Sequence, residues 1–336
     1  MLKAWIHSIE RAHWARENRR VTYPFEWGIE HLGGDPARDD PRQFLQNYSR
    51  QALEGSESFF ATEAAEWYKL DGDLLRFPSA IESSFPENNT VHARWFPAER
   101  PEGRAVVVLP PWNAQPESHV SICRFLRRFG VSALRLSLPY HDQRQPAGYE
   151  RADPMVSPNL GLTLQASRQA VLDARRAVRW LEQQGYTRIG ILGTSIGSSV
   201  SYITLAHEPA LRAGVFLHVS TYFADVVSRG MLTSHVWEGL ASQVSAEELR
   251  QLWMPISPFP YVGRLRGREP AMLLVSARYD LTFPFDLSRL LWERMEELSI
   301  PHQLLILPCG HYTLANFPFS WWAGLRFIPF LRRVLS

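Results

Sequence analysis

Three residues that could together make a hydroxyl nucleophilic lie far apart in this sequence: Ser195, Asp280 and His311. Ser195 is the central residue of the run Gly-Thr-Ser-Ile-Gly at positions 193–197. A serine hydroxyl is a weak nucleophile at neutral pH, so it needs a base to take its proton and a third group to orient that base. Asp280 and His311 are candidates for these two roles, and the chemistry indicated is acyl transfer through a serine.

The residues around Ser195 predict a sharp turn from a strand into a helix. Residues 189–192 are apolar and β-prone, and residues 197–205 are typical of a helix that begins with small side chains. At such a turn the serine is strained and exposed, and glycines on either side leave room where strand and helix approach closely. The five residues alone also fit an ordinary Gly/Ser loop, but the strand before them and the helix after them favour the turn.

The proposed partners follow two later strands. Asp280 comes just after the apolar run 271–276, and His311 comes just after the run 303–307. Each has an ordinary alternative, because aspartate often caps a helix and His311 is one of eleven histidines. The order Ser, Asp, His is nevertheless the one expected for a serine at such a turn on an α/β sheet. Chance would place a single such residue after a strand much more often than it would place all three there in this order.

Buried strands that alternate with amphipathic helices position these residues. From residue 105 onward this alternation predicts a mostly parallel sheet with helices on both faces. Two earlier strands, joined by a short turn-rich link, would add an antiparallel edge. Ligands of such sheets bind beyond the carboxyl ends of the strands, where the candidate residues lie. The fold class predicted is therefore α/β with eight strands, at residues 74–77, 90–96, 105–109, 131–138, 189–192, 213–219, 271–276 and 303–307.

Helical segments are predicted around this sheet. Residues 1–70 predict a helical N-terminal extension packed on the core, without a chemistry motif of its own. Residues 71–336 would form the catalytic domain, with a helical insertion at 221–263 that is either a lid over the strand ends or a peripheral excursion. The tail 320–335 predicts a helix interrupted at Pro329.

The chain resembles the α/β-hydrolase superfamily over roughly residues 90 to 320. The resemblance rests on the run 193–197, on Asp280 with Pro284 behind it, and on His311 after a glycine. Ala277 stands where the family usually has glycine before the aspartate. Segments 110–113 (Pro-Pro-Trp-Asn) and 139–142 (Pro-Tyr-His-Asp), with the Asn-rich hairpin, are also similar to abhydrolase domain-containing family 18. The resemblance implies a serine esterase or lipase-like hydrolase with a catalytic triad.

An enzyme of this kind also needs two backbone N–H groups that stabilise the negative oxygen of the intermediate. The residue after the nucleophile, Ile196, is the first expected donor. The second should come from the loop after strand 105–109, where Pro110 and Pro111 have no N–H to give. Trp112 is therefore the predicted second donor, and Asn113 is the next choice.

Residues that could line the substrate pocket are harder to identify. Tyr140 and His141 open a long loop at a strand end, and Trp237 lies in the helical insertion. All three are candidates for substrate binding, although for Tyr140 and His141 we favour the alternative that they fix their loop by hydrogen bonds. His218 and His235, near the insertion, are expected to be structural.

Composition excludes several other classes. The formal net charge of +2 does not indicate a nucleic-acid partner, and two cysteines give neither a zinc set nor a disulfide framework. We expect no metal and no organic cofactor. The N-terminus lacks the apolar core of a signal peptide and no stretch reaches 18 apolar residues, which predicts a cytoplasmic protein. Aromatics mixed with cations at 319–330 are typical of a helix packed on the sheet or of one in peripheral contact with a membrane.

The function predicted is hydrolysis of carboxylic esters, with an apolar acyl chain favoured by the many tryptophans and phenylalanines. A small molecule or a lipid ester would be the substrate. An acyltransferase using the same triad is an alternative that the sequence does not separate from a hydrolase. A third alternative is a catalytically silent binding protein of the same fold.

Overall fold

A single sheet of nine strands forms the centre of the computed structural model, which describes residues 1–17 and 19–336. Six of the strands pair in parallel, and the first three strands along the chain form an antiparallel edge. Their spatial order is β1-β2-β3-β5-β4-β6-β7-β8-β9. The strands are Lys69–Asp71 (β1), Leu74–Pro78 (β2), Thr90–Phe96 (β3), Arg104–Leu109 (β4), Ser132–Leu136 (β5), Arg188–Thr194 (β6), Leu211–Leu217 (β7), Ala271–Ala277 (β8) and Gln303–Leu307 (β9).

All eight predicted strands and the antiparallel edge are present, but the sheet has nine strands, one more than predicted. The additional strand is β1, which pairs with β2 across a tight turn where Gly72 has φ 60°. All three residues of β1 are exposed. It therefore lacks the apolar alternation that reveals a strand in a sequence, and its Asp71-Gly72 pair was the only local signal. Because Leu70 lies inside β1, the predicted boundary at residue 70 falls within a strand of the sheet.

The parallel strands form because both of their faces are buried. All six residues of β4 are buried, and the apolar five from Ala105 to Leu109 are inaccessible, as expected for a strand covered on both sides. Val107 and Leu109 contribute to the core on one face, and Val106 and Val108 contribute to the core on the other. This alternation requires helices on both faces of the sheet.

Helices α5 and α6 pack on one face of the sheet, and α4 and α11 pack on the other. The helix α11 runs through Pro329, so the predicted interruption is wrong. Burial of Phe327, Phe330 and Leu331 outweighs the one backbone hydrogen bond that a proline cannot donate. The helices are Leu2–Arg16 (α1), Pro41–Glu54 (α2), Ser56–Phe59 (α3), Val120–Arg128 (α4), Leu160–Gln183 (α5), Ile196–His207 (α6), Phe223–Arg229 (α7), Ser234–Leu240 (α8), Ala246–Leu252 (α9), Phe285–Glu297 (α10) and Phe319–Val334 (α11).

The insertion between β7 and β8 contains helices α7, α8 and α9 and no strand, as predicted. Leu240, Leu249 and Trp253 of this insertion are fully buried in the core that also covers the sheet. The insertion is therefore packed against the body of the protein, and its role as a lid stays a prediction. Among the described residues, no helix is both long enough and apolar enough to cross a membrane.

Candidate active site

Ser195 occupies the turn between β6 and α6. Its φ of 57° and ψ of −124° lie in a region that non-glycine residues rarely adopt, so the predicted strained turn is confirmed. A side chain at Gly193 would overlap with the carbonyl of Gly197. A side chain at Gly197 would stand only 2.5 Å from the carbonyl oxygen of Pro110. Glycine is therefore required at both positions because strand, helix and the 110–113 loop converge there.

Asp280 and His311 form a hydrogen-bonded pair beyond the ends of β8 and β9. His311 Nδ1 lies 3.0 Å from Asp280 Oδ2. The other carboxylate oxygen, Oδ1, accepts the backbone N–H groups of Thr282 and Phe283, each at 2.7 Å. The Phe283 ring stacks on the imidazole at a centroid distance of 5.3 Å and an angle of 14°. The aspartate is thus fixed by its own loop and holds the histidine ring in one orientation.

The pair is buried, and its charges depend on each other. Burial raises the pKa of Asp280, but the neighbouring His311 and His218 outweigh it and the pKa falls well below the usual range. Burial lowers the pKa of His311, whereas the Asp280 carboxylate raises it, and the net shift is upward. Asp280 is therefore ionised at neutral pH, and it stabilises a proton on His311.

The sheet brings Ser195 to the same edge as this pair, because β6, β7, β8 and β9 are consecutive parallel neighbours. Ser195 is only 3% exposed, so the expected exposure of the serine is wrong for this structure. Its N–H donates to the carbonyl of Leu217 at 2.9 Å. Within the described residues no hydrogen bond joins the Ser195 hydroxyl to His311. The Asp280–His311 contact is observed, and the contact of serine with histidine stays a prediction.

The two favoured oxyanion donors have N–H groups that are not used elsewhere. Within residues 1–17 and 19–336 the backbone N–H groups of Ile196 and Trp112 donate no hydrogen bond. The N–H of Asn113 instead donates to His141 Nε2 at 2.9 Å. The second choice, Asn113, is therefore already occupied in this structure. Ile196 and Trp112 stay the predicted pair.

The loop that carries Trp112 is held by its side chains. The Trp112 indole donates to the carbonyl of Ala152 at 2.8 Å, and the Asn113 side chain accepts the N–H of Ala152 at the same distance. The ring of His235 stacks on Trp112 at 5.9 Å and 4°, while the Arg151 guanidinium lies 5.1 Å from the indole centroid. The expected structural role of His235 agrees with this contact.

His141 and Tyr140 hold their loop by hydrogen bonds, which agrees with the alternative role expected for them, and their contact with substrate stays a prediction. His141 is 2% exposed, and its Nδ1 donates to the carbonyl of Pro139 at 2.8 Å while Nε2 accepts from Asn113. Burial lowers its pKa to about 4, so the ring is neutral. Tyr140 is fully buried. Trp237 packs half-buried against the core, and its contact with substrate stays a prediction.

Two histidines lie beside the candidate residues: His218, which was expected to be structural, and His119, which was not among the candidates. His218 Nδ1 lies 2.8 Å from Asp280 Oδ2, outside the direction of a good hydrogen bond, and its ring centroid lies 4.4 Å from that of His311. Burial, and then His311, lower the pKa of His218. The signal available was its position directly after β7. His119 Nε2 lies 2.7 Å from the hydroxyl of Thr194, the residue before Ser195. No local pattern in the sequence indicates this contact.

A transition-metal ion could also be held here. Ligand atoms of His218, Asp280 and His311 all lie within 4.8 Å of one another. Two imidazoles and a carboxylate suit zinc or iron. The same distances are also those of an aspartate that lies between two histidines without a metal. The expectation of a metal-free centre therefore stays a prediction.

Comparisons with known proteins agree with this arrangement at the level of the fold. No protein-family model matches the chain, and no curated protein sequence matches it. The acylaminoacyl peptidase of Pyrococcus horikoshii is similar with a TM-score of 0.59 and 16% identity, over 83% of this chain and 43% of the peptidase. Acetyl xylan esterase 1 of a Thermoanaerobacterium species gives 0.60 and 14%, over 87% and 94% of the two chains.

The esterase Pf2001 of Pyrococcus furiosus is similar with a TM-score of 0.55 and 18% identity, over 82% of this chain and 99% of the esterase. The chain therefore has the α/β-hydrolase fold. It spans less than half the length of the P. horikoshii peptidase and almost the whole length of the two esterases. The similarity to abhydrolase domain-containing family 18 stays a prediction.

Proposed function

We propose that this protein is a serine hydrolase that cleaves carboxylic esters through an acyl-serine intermediate. One observation carries the proposal: the buried Asp280–His311 pair, with its 3.0 Å hydrogen bond, shares a sheet edge with the strained turn at Ser195. An aspartate that orients a histidine beside an elbow serine is the arrangement that acyl transfer requires. The esterases among the neighbours support the same reaction class.

In the first half of the reaction, the Ser195 oxygen attacks the ester carbonyl carbon while His311 Nε2 takes the hydroxyl proton. Asp280 accepts the Nδ1–H of the resulting imidazolium and stabilises its charge. The N–H groups of Ile196 and Trp112 would stabilise the negative carbonyl oxygen. Collapse of the intermediate breaks the ester C–O bond, and His311 gives its proton to the departing alcohol.

In the second half, water attacks the acyl-serine. His311 removes one proton from the water; when the tetrahedral intermediate collapses, the bond between the acyl carbon and the Ser195 oxygen breaks. His311 gives its proton to that oxygen, which restores the hydroxyl and releases the carboxylic acid. The reaction uses side chains and backbone N–H groups of this protein and a water molecule.

An apolar acyl chain is the substrate class that we favour. The Phe283 ring lies against His311, and the Trp112 indole lies in the loop that carries the predicted oxyanion donor. Apolar surfaces beside a reacting carbonyl bind hydrocarbon better than charged groups.

Amide hydrolysis is the second candidate, because the neighbours also include an acylaminoacyl peptidase and a puromycin-hydrolysing peptidase of Mycobacterium tuberculosis. Both reactions would use the same acyl-serine and differ in the leaving group. An acyltransferase would differ only in its acceptor. Parallel assays with p-nitrophenyl esters, p-nitroanilides and an added alcohol acceptor separate the three by their products.

The test of the proposal is a panel of p-nitrophenyl esters of increasing acyl length, together with labelling by a fluorophosphonate probe. We expect the wild type to turn over at least one ester and to be labelled. Ser195→Ala should lose roughly 10⁴-fold in kcat/KM and all labelling. Ser199→Ala is the matched control, since it makes the same change in α6 and leaves the nucleophile in place. Wild-type hydrolysis by Ser195→Ala, or a wild type that neither reacts nor labels, would refute the proposal.

A further inference from the structure

The N-terminal helix α1 buries an acidic side chain, although most of the helix is exposed. Only Ile6 and Glu10 of its fifteen residues are buried, and both are completely inaccessible. They are four residues apart and therefore lie on the same side of the helix. An ionised carboxylate is costly to remove from water unless hydrogen bonds replace its hydration. The partners of Glu10 consequently indicate what the helix is packed against.

Those partners are backbone N–H groups of the loop that carries His311. Glu10 Oε2 accepts the N–H of Tyr312 at 3.0 Å, and Oε1 accepts the N–H of Thr313 at 2.9 Å. A side chain at Gly310 would overlap with the Glu10 carboxylate. The glycine before His311 is thus explained by the close approach of α1, and the carboxylate binds the backbone of the two residues that follow the histidine.

Two aromatic contacts extend the same interface. The His13 ring stacks on Tyr312 at 5.5 Å and 12°, and His7 meets the edge of Tyr279 at 6.4 Å. Tyr312 follows His311 and Tyr279 precedes Asp280. One helix, from the opposite end of the chain, therefore contacts both loops that hold the acid–base pair.

Several charged groups influence the imidazole of His311. Asp280 lies at hydrogen-bond distance, His218 faces its ring, and the carboxylates of Glu10 and Glu17 act from the N-terminal segment. Burial lowers the pKa of His311, Asp280 raises it most, and Glu10 and then Glu17 raise it further. Removing the charge of Glu10 should therefore make the imidazole a weaker base.

We propose that Glu10 is a positioning residue of the active site, and that α1 holds the loop of the catalytic histidine in its working geometry. The inference rests on the proposed function. Glu10 touches no substrate; it fixes the backbone at Tyr312 and Thr313, so that the ring of His311 stays in place between Asp280 and Ser195. A small displacement of a catalytic group can cost about 100-fold in rate.

The test is Glu10→Gln, which preserves size but replaces one acceptor oxygen with an amide. That amide would face a backbone N–H, so two donors would oppose each other and one hydrogen bond would be lost. We expect kcat to fall about 10- to 100-fold with little change in KM. We also expect the midpoint of the pH profile of kcat/KM to move to lower pH, which an anchor with a purely structural role would not cause.

Ile6→Ala is the matched control, because it weakens the packing of the same helix face without touching a hydrogen bond of the loop. It should lower the melting temperature while kcat stays within twofold of wild type. Rates are expressed per site titrated with the fluorophosphonate probe, so partial unfolding lowers the titre and not kcat. Gly310→Ala, which forces the loop away from Glu10, should reproduce the loss of kcat and serves as the second variant if Glu10→Gln is poorly folded.

A Glu10→Gln protein with wild-type kcat per titrated site and an unchanged pH midpoint would overturn the inference, as would wild-type kcat in Gly310→Ala. An inactive, unlabelled wild type would instead refute the proposed function. The two failures are therefore distinguishable.

Discussion

Replacing Asp280 with asparagine tests the acid–base pair most directly, because the structure determines how the new amide must orient. Oδ1 accepts two backbone N–H groups at 2.7 Å, from Thr282 and Phe283. An amide nitrogen at that position would oppose two donors and leave them unsatisfied. The carbonyl of the asparagine will therefore keep these bonds, and its NH₂ group will face Nδ1 of His311.

This orientation reverses the histidine tautomer. Nδ1 of His311 would have to accept a hydrogen bond, which moves its proton to Nε2, the atom that should receive the proton of Ser195. A wrong tautomer of this kind lowers kcat about 10⁴-fold in a Ser-His-Asp triad. At about 1.36 kcal/mol for each factor of ten, this corresponds to about 5 kcal/mol of transition-state stabilisation.

The assay is steady-state hydrolysis of the best p-nitrophenyl ester by Asp280→Asn, with circular dichroism to confirm folding. Asp286→Asn is the control, since Asp286 lies in the first turn of α10 and pairs with Arg229 at the surface. The control should retain wild-type activity. A folded Asp280→Asn protein within tenfold of the wild-type kcat would refute the reasoning about the tautomer.

Two further predictions concern pH and the oxyanion loop. Burial lowers the pKa of His311 but Asp280 raises it more, and only the neutral imidazole is a base; kcat/KM should therefore fall as pH drops through a midpoint above 6.5. A pH profile of ester hydrolysis checks this, and a midpoint below 6.5 would contradict it. His141→Phe removes the acceptor of the Asn113 N–H and should lower kcat about 10- to 100-fold at similar KM. Steady-state kinetics measures the effect, and an unchanged kcat would show that this loop is not part of the oxyanion hole.

Strands and helices can be located from the sequence where neighbouring residues along the chain carry the pattern. A buried parallel strand such as β4 is apolar from Ala105 to Leu109, and a helix such as α5 repeats its apolar residues at helical spacing. The turn at Ser195 is indicated by glycines at 193 and 197 between an apolar strand and a helix, which is also a local pattern. The exposed strand β1 carries no such pattern, and it was missed for that reason.

The side chains that surround the candidate residues could be identified only from the folded structure. His218 reaches Asp280 because β7 and β8 are neighbours in the sheet, and His141 takes the N–H of Asn113 across a separation of 28 residues. Glu10 meets the backbone of Tyr312 from 302 residues away. Hydrogen bonds depend on distance and direction in space. The residues next to a donor or acceptor in the sequence therefore do not indicate a partner that folding brings close to it.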